Sequence, residues 1–363
     1  MTNQLPHADV AVVGGGVIGL AVAWRARQRG LDVLLVDRGD LGAGASSAAA
    51  GMLAPVAEAD AQERALLVHN LESARRWPSF AGELEDVTGL DVGYRACGSL
   101  LLARDRDEAE HVERERALRE RLGLKVERLL GSEARRREPA LAPSLRLALA
   151  LPDDHAVEPR RVVAALVEAC TRAGVHLRPG VAVEDPADPA ALDAERVVVA
   201  TGAWAGQSGR VPVRPVKGQA LRLRDPSGPG LCDRVLRFEG GYLVPRGDGR
   251  YYLGATMEER GFDTAVTALG VYELLREAAE VIPGILELEI DEAFAGLRPG
   301  TPDNAPIVGT DPADERLVWA TGHFRNGVLL CPLTADLVAD ELTGGRPDHA
   351  LRPERFATEG APA

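Results

Sequence analysis

The chain has 363 residues, of which 45% are hydrophobic and 27% charged, and its formal net charge is −13. That length suits two domains with cores large enough to need no disulfide or metal staple. The acidic balance excludes a general nucleic-acid binder, whose affinity would rest on basic patches, and otherwise only favours solubility. Apart from Lys125 and Lys217 the basic residues are all arginine, a compositional bias. The cysteines Cys97, Cys170, Cys232 and Cys331 form no Cys-x-x-Cys pair, and the histidines supply no metal-ligand spacing, so no metal is expected. No apolar run reaches the ~18 residues that span a membrane. Residues 1–7 lack the charged and apolar regions of a signal peptide. A cytoplasmic location is expected, with reduced thiols and no membrane partner.

In chain order, the apolar run 8–13 suits a buried parallel strand, 14–19 a turn, 17–29 a helix stopped by Gly30, and 33–36 a second buried strand ending at Asp37. Together they make one βαβ unit. Residues 41–51 are almost all small and suit a backbone lying close against something else. A long helix is expected over 61–85. The segment 104–122 alternates charges, with Glu110–Arg114 and Glu115–Arg119 spaced as i,i+4 pairs, and reads as a solvated helix face. A strand over 147–151 and an amphipathic helix over 158–173, with Pro159 in its first turn, come next. A third buried strand, 196–200, leads into Thr201-Gly202-Ala203-Trp204. Residues 213–223, 241–245 and 251–256 have strand character, with Gly247–Gly249 as a hairpin turn. Helices are expected over 271–281 and 327–342, with a strand over 317–320 between them and a frayed tail from Ala357.

The buried strands near 8–13, 33–36, 196–200 and 317–320 are alike in character and far apart in sequence. The fold expected is therefore α/β with an α+β insert. A Rossmann-like domain would be assembled from 1–85, 155–212 and 293–363, and an antiparallel-sheet substrate domain from 86–154 and 213–292.

Gly14-Gly15-Gly16-Val17-Ile18-Gly19 is a Gly-x-Gly-x-x-Gly turn between a strand and a helix, answered by Asp37 after the second strand. That is the context of a dinucleotide fingerprint. Gly14 permits the tight turn, Gly16 the approach of pyrophosphate, and Gly19 the packing of helix on sheet. The helix N-terminus faces the phosphates, and Asp37 receives ribose hydroxyls. An acid there disfavours NADP, but the fingerprint alone leaves FAD and NAD open. The small run 46–51 and the strand ending in Ala200-Thr201-Gly202-Ala203 favour FAD.

These segments resemble the D-amino-acid-oxidase superfamily of flavoproteins, and within it the glycine-oxidase branch of the thiamine-thiazole pathway. The matching stretches are Ser47–Leu53 with Glu58, Pro215–Gly218, Tyr242–Arg246, Gly254–Met257, Ala295–Thr301 and Gly322–Gly327. The fingerprint and the resemblance together imply FAD contacts from Gly14, Gly16, Val17, Ile18, Gly19, Asp37, Arg38, Ser46, Ser47, Ala49, Ala50, Gly51, Met52, Val181, Thr201, Gly202, Trp204, His323, Phe324, Arg325, Asn326, Gly327, Val328 and Leu329. The FAD is expected to be non-covalent, because the region around Thr301 lacks a tethering cysteine.

A guanidinium suits a substrate carboxylate. Arg298, beside a Pro299-Gly300 pair that reads as a rigid turn, is the candidate clamp, with a surface arginine as the plain alternative. The resemblance gives Arg298 the clamp role. It adds Tyr242 as a hydroxyl donor, Arg325 as a site residue, and Met52 and Glu58 as weaker contacts. His323 reads as a packing residue more than as an acid or base. The last helix would stabilise charge on reduced flavin with its N-terminus. The family carries a histidine two residues before the site tyrosine, where this chain has Gly240, which implies a more open or less polar mouth. The short segment 180–196 implies a reduced FAD-covering hairpin. The activity implied is oxidation of glycine, sarcosine or small D-amino acids with O2 as acceptor, in a homo-oligomer that is a tetramer in relatives. The alternatives are a dehydrogenase passing electrons to a carrier and a flavin-binding subunit without turnover. A carboxylate clamp speaks against the last.

Overall fold

A computed structural model describes residues 5–228, 230–347 and 349–356. The tail from Ala357 lies outside the described residues. The apolar strand Ala8–Val13 sits inside a six-stranded sheet, where it pairs in parallel with Val33–Asp37 on one side and Ala194–Val199 on the other. His176–Pro179 and Asp314–Thr321 extend the sheet in parallel, and Ile307–Asp311 closes one edge antiparallel. Successive residues of the central strand enter two different cores. Val10 and Val12 pack beneath the helices Val17–Gln28, Arg64–Thr88, Pro159–Ala173 and Gly327–Leu342, while Ala11 and Val13 pack on the opposite face. Burial on both faces explains why these strands carry unbroken apolar runs. The four strands expected to share a sheet do so, although they come from distant parts of the chain.

A second sheet has eight strands, in the order Glu289–Gly300, Arg214–Arg224, Arg250–Gly254, Gly241–Pro245, Val235–Phe238, Ser99–Ala103, Leu147–Leu151, Glu127–Leu130. All neighbours are antiparallel except Val235–Phe238 with Ser99–Ala103. Helix Ala268–Val281 and the segment around Leu141–Leu145 share its apolar core.

Two local expectations are corrected. The segment Arg298-Pro299-Gly300 is not a turn but the end of the twelve-residue strand Glu289–Gly300, with Val216 opposite Arg298 and Pro215 opposite Pro299. This strand lies on the sheet edge, where the missing N–H of proline breaks no ladder. The same strand runs through the domain boundary expected at 292.

The second correction concerns helix Arg106–Arg121, which is not uniformly solvated. Glu110 pairs with Arg106 at 3.0 Å and not with Arg114. Arg119 is buried and donates to the carbonyls of Val56 and Ala57 at 2.9 and 2.7 Å while pairing with Glu115. Its guanidinium thereby fixes the segment that carries Glu58.

Candidate active site

A cavity of about 920 Å³ lies between the two sheets and takes lining residues from both. Its first end is built by the glycine turn. Gly14 has φ +113°, and a Cβ there would stand 2.4 Å from the Ala200 carbonyl oxygen. A Cβ on Gly19 would meet the Gly14 carbonyl oxygen at 1.8 Å, so helix and turn touch backbone to backbone. Asp37 accepts from the Gly15 and Gly39 N–H groups at 2.7 and 2.8 Å, which holds its carboxylate at the cavity wall. Ser46 accepts from Val17 N–H at 2.9 Å and so caps the first helix from a distant segment. The Thr201 hydroxyl is buried at the wall without a hydrogen-bond partner. A backbone cradle that a Cβ would fill and an orphaned hydroxyl fit a dinucleotide with polar groups along its length.

At the outer rim Arg38 lies 4.1 Å over the Trp204 ring, a cation–π contact. In place of a covering hairpin, the residues 181–187 form a loop that lines this end. At the far end the helix Gly327–Leu342 begins at the wall. Its N-cap, Asn326, makes no side-chain capping bond, which leaves first-turn N–H groups for an anionic or electron-rich ligand edge. His323 is buried, pairs with the Thr334 hydroxyl at 3.0 Å, and is pushed down to about 3 by burial. It is a neutral packing residue.

Another part of the wall is one face of the eight-stranded sheet. Arg237, Tyr242, Gly254, Ala220 and Phe294 form a cross-strand row, so their side-chain positions share that face. Arg298, four residues beyond Phe294 on its strand, shares it too. A Cβ on Gly254 would lie 3.1 Å from the Tyr242 hydroxyl, and one on Gly218 would lie 2.4 Å from Arg298 Nη1. The tyrosine hydroxyl and the guanidinium thus lie over two glycines. Gly218 is two residues along and one strand over from Gly254, a gap of about 8 Å by strand geometry, wide enough for a carboxylate. Arg298 Nη1 donates to the carbonyls of Thr256 and Lys217 at 3.1 and 3.4 Å, which aims the group without neutralising it. Tyr252 stacks on Tyr242, with ring centroids 6.1 Å apart, and donates to the Ala48 carbonyl at 2.8 Å. It ties the small-residue run to the sheet.

Glu58 pairs with Arg237 at 2.6 Å and with Arg325 at 3.1 Å. Burial alone would raise its pKa, but the two guanidinium charges outweigh it and hold the carboxyl below the usual range.

Of the residues singled out from the sequence, all but three line the cavity. Gly19 lies behind the turn it packs against. Ser47 turns away, its carbonyl oxygen taken by Arg222 at 2.5 Å. Leu329 is buried, with its carbonyl oxygen accepting from Ser73 and Trp77. Gly240 sits in the exposed turn before Tyr242 at φ +88°, outside the lining, and a Cβ there would meet Glu277 Cγ at 3.1 Å. Sequence reasoning missed Arg237, Tyr252 and Gly218, all of which line the cavity. A signal for Arg237 existed: a two-residue Glu239-Gly240 turn between apolar stretches pairs it with Tyr242.

A Rossmann-type sheet joined through one cavity to a sheet face bearing an arginine and a tyrosine fits a dinucleotide-dependent oxidoreductase. Residues 9–341 match the family model described as DAO, FAD dependent oxidoreductase, and the chain belongs to that family.

Within the family it is an FAD-dependent amino-acid oxidase. It is 38% identical over 348 residues to glycine oxidase of Geobacillus kaustophilus (strain HTA426), covering 92% of each chain. The crystal structure of glycine oxidase from Geobacillus kaustophilus superposes with a TM-score of 0.90 at 36% identity, covering 96% of this chain and 98% of that one. It is also 37% identical over 374 residues to the bifunctional protein ThiO/ThiG of Synechocystis sp. (strain ATCC 27184 / PCC 6803 / Kazusa). That match takes in 98% of this chain but only 55% of the relative, so the chain spans about half its length. No described helix is long and apolar enough to cross a membrane.

Proposed function

We propose that the chain oxidises glycine, and with it sarcosine or small D-amino acids, to the imine, using O2 as electron acceptor. The observation that carries this reading is the placement of Arg298 and Tyr242 over Gly218 and Gly254 in the cavity that also holds the dinucleotide cradle. Bound FAD, held without a covalent link, supplies the acceptor for the Cα hydride and passes the electrons on to O2, giving H2O2.

The chain's own residues do the rest. Arg298 holds the carboxylate by parallel charge-assisted bonds, and Tyr242 donates a further one. Together they fix which face of Cα looks toward the cofactor end, marked by Gly51, His323 and the start of the last helix. Glu58 is already shared by Arg237 and Arg325, and His323 is neutral and bonded to Thr334. Neither serves as a base, and the substrate amine gives its proton to water before hydride transfer. The uncapped N–H groups of the last helix stabilise charge that develops beside them. The imine then hydrolyses to glyoxylate and ammonia or enters thiamine-thiazole synthesis.

The test is peroxide release by the purified yellow protein in air with glycine, sarcosine, D-alanine and D-proline. Peroxide with glycine supports the oxidase. Flavin bleaching that persists in air replaces it with a dehydrogenase. No bleaching by any small amine removes both.

A further inference from the structure

Behind the cavity wall lies a buried network of charges, with Asp154 at its base. We propose that Asp154 is a positioning residue for the oxidation: its ionised carboxylate holds the turn that carries Glu58, and through Glu58 it sets where Arg237 and Arg325 stand at the wall. The inference rests on the oxidase reading above, because turnover is one of its readouts.

Asp154 is wholly buried. It directly precedes the short strand His155–Ala156, which pairs antiparallel with Met52–Leu53. Where that ribbon ends, the Asp154 side chain takes over from the backbone. Its Oδ1 accepts from Val56 N–H at 2.9 Å, and its Oδ2 accepts from Ala57 N–H at 3.1 Å and from the Ser99 hydroxyl at 2.9 Å. Arg119 donates to the carbonyls of the same two residues, Val56 and Ala57. The turn is thus gripped by its N–H groups and by its carbonyls, from two partners distant in sequence. Glu58 follows at once, and its carboxylate is shared by Arg237 and Arg325, which line the cavity. A small rotation of the turn therefore moves both guanidiniums.

The charges fit the same arrangement. Arg237 pairs with Glu58 and is also drawn to Asp154. Arg325 pairs with Glu58 and lies 4.0 Å from Glu63, and Arg119 pairs with Glu115. Asp153 and His155 flank Asp154 in the chain, and burial pushes His155 down. With Asp154 ionised, Arg237 and Arg325 both have carboxylates behind them. Arg298, by contrast, meets only the carbonyls of Thr256 and Lys217.

Asp154 can also change state. Burial outweighs the pull of the Val56 N–H, Arg237, Ser99 and the Ala57 N–H, and raises its carboxyl from 3.8 to about 6. Below that pH the carboxyl carries a proton. One oxygen then becomes a donor, and the bonds from Val56 and Ala57 lose their charge assistance, so the turn slackens. Above that pH the turn is held. Asp154 exchanges only its own proton with water and makes no bond to the substrate.

The test measures kcat/KM for glycine on FAD-loaded enzyme from about pH 5 to pH 8, as the ratio of wild type to Asp154→Asn at each pH. The ratio cancels the ionisation of the substrate amine, which both enzymes share. It is expected to rise about tenfold across a midpoint near pH 6 and then to level. A ratio flat with pH overturns the proposal, since a residue that only supports packing lowers turnover equally at every pH. Ser99→Ala keeps the carboxylate and removes one donor to its charged form, so the limb should move up by about one to two pH units. A limb that stays in place there also overturns the proposal, and this arm holds even where Asp154→Asn does not fold. The proton is read separately as a protonated-carboxyl band in the infrared difference between low and high pH, present in wild type and missing from Asp154→Asn. Identical difference spectra count against the proposal. If wild type oxidises no small amine at any pH, the oxidase reading fails and this one falls with it, whereas a flat ratio fails this one alone.

Discussion

The Arg298 guanidinium occupies the space a side chain at position 218 would need: a Cβ on Gly218 would stand 2.4 Å from Nη1 and 2.6 Å from Cζ. The proposed clamp therefore has two parts on adjacent strands, a cation and the gap that receives it. Gly218→Ala is expected to displace the guanidinium and raise the KM for glycine about tenfold or more, while the flavin stays bound. Arg298→Ala should raise KM further, by roughly 10²–10⁴-fold, because two charge-assisted hydrogen bonds of about 1.5–3 kcal/mol each are lost. Steady-state kinetics with absorbance at the flavin band checks both. An unchanged KM in Arg298→Ala removes the clamp.

Tyr242 carries a smaller share. Its ring is held by the stack on Tyr252, so Tyr242→Phe deletes the hydroxyl without moving the ring. One hydrogen bond to a charged carboxylate is about 1.5–3 kcal/mol, so kcat/KM for glycine should fall roughly 10–150-fold. A change below threefold would show that the hydroxyl does not reach the substrate.

At the other end, Gly14→Ala meets two obstacles at once, a φ of +113° and the Ala200 carbonyl oxygen at 2.4 Å. Neither the carbonyl nor the turn can give way without opening the cradle. The variant should purify colourless or with FAD bound at least tenfold more weakly, as measured by fluorescence titration of apoprotein. Full flavin occupancy with unchanged affinity would refute the cradle.

That turn was legible in the sequence because its chemistry is local: strand, glycines and helix follow one another, and Asp37 closes the unit within one βαβ. The four buried strands were legible for a similar reason, since burial on both faces writes an unbroken apolar run. What the sequence hid depends on partners. Pro299-Gly300 reads locally as a turn, and only its place on a sheet edge makes it a strand. Arg119 looks like any residue of a charged helix, and only the Val56 and Ala57 carbonyls reveal that it turns inward. Arg237 takes its place at the wall by pairing with Tyr242, and the Ser47 carbonyl is held by Arg222, a partner far away in sequence.

His323 gives a prediction about pH. Burial holds its pKa near 3, against 6.5 for an exposed imidazole. The unfolded chain therefore binds the proton more readily than the folded one between those values. The stability that His323 contributes as a neutral group is present above pH 6.5 and is lost as pH falls toward 3, at about 1.4 kcal/mol per unit. His323→Gln, which cannot protonate, should lose less stability than wild type between pH 7 and pH 5 in thermal melts. The pH dependence of kcat/KM for glycine should keep its limbs in this variant. A limb that vanishes would make the imidazole a participant in proton transfer.

The loop over 256–263 is pinned at both ends of the cavity. Lys217, almost wholly buried, pairs with Asp263 at 2.6 Å and lies 3.9 Å from Glu258, and its backbone exchanges two hydrogen bonds of 2.9 Å with Glu258. On the dinucleotide side Phe262 stacks on Trp204 with centroids 5.5 Å apart. Just ahead of these anchors Thr256 offers its carbonyl to Arg298. Lys217→Met removes a buried charge, and its partner Asp263 is half exposed and can turn to water, so overall stability should change by only about 1–2 kcal/mol. The loop, however, loses a pin, and with it the aim of Arg298. The expected outcome is a KM for glycine raised several-fold with a small change in Tm, and faster proteolytic cleavage within 257–266. A double-mutant cycle of Lys217→Met with Asp263→Asn should show a coupling of about 1 kcal/mol in kcat/KM. A coupling near zero would mean that the ion pair does not carry the loop's effect on the clamp.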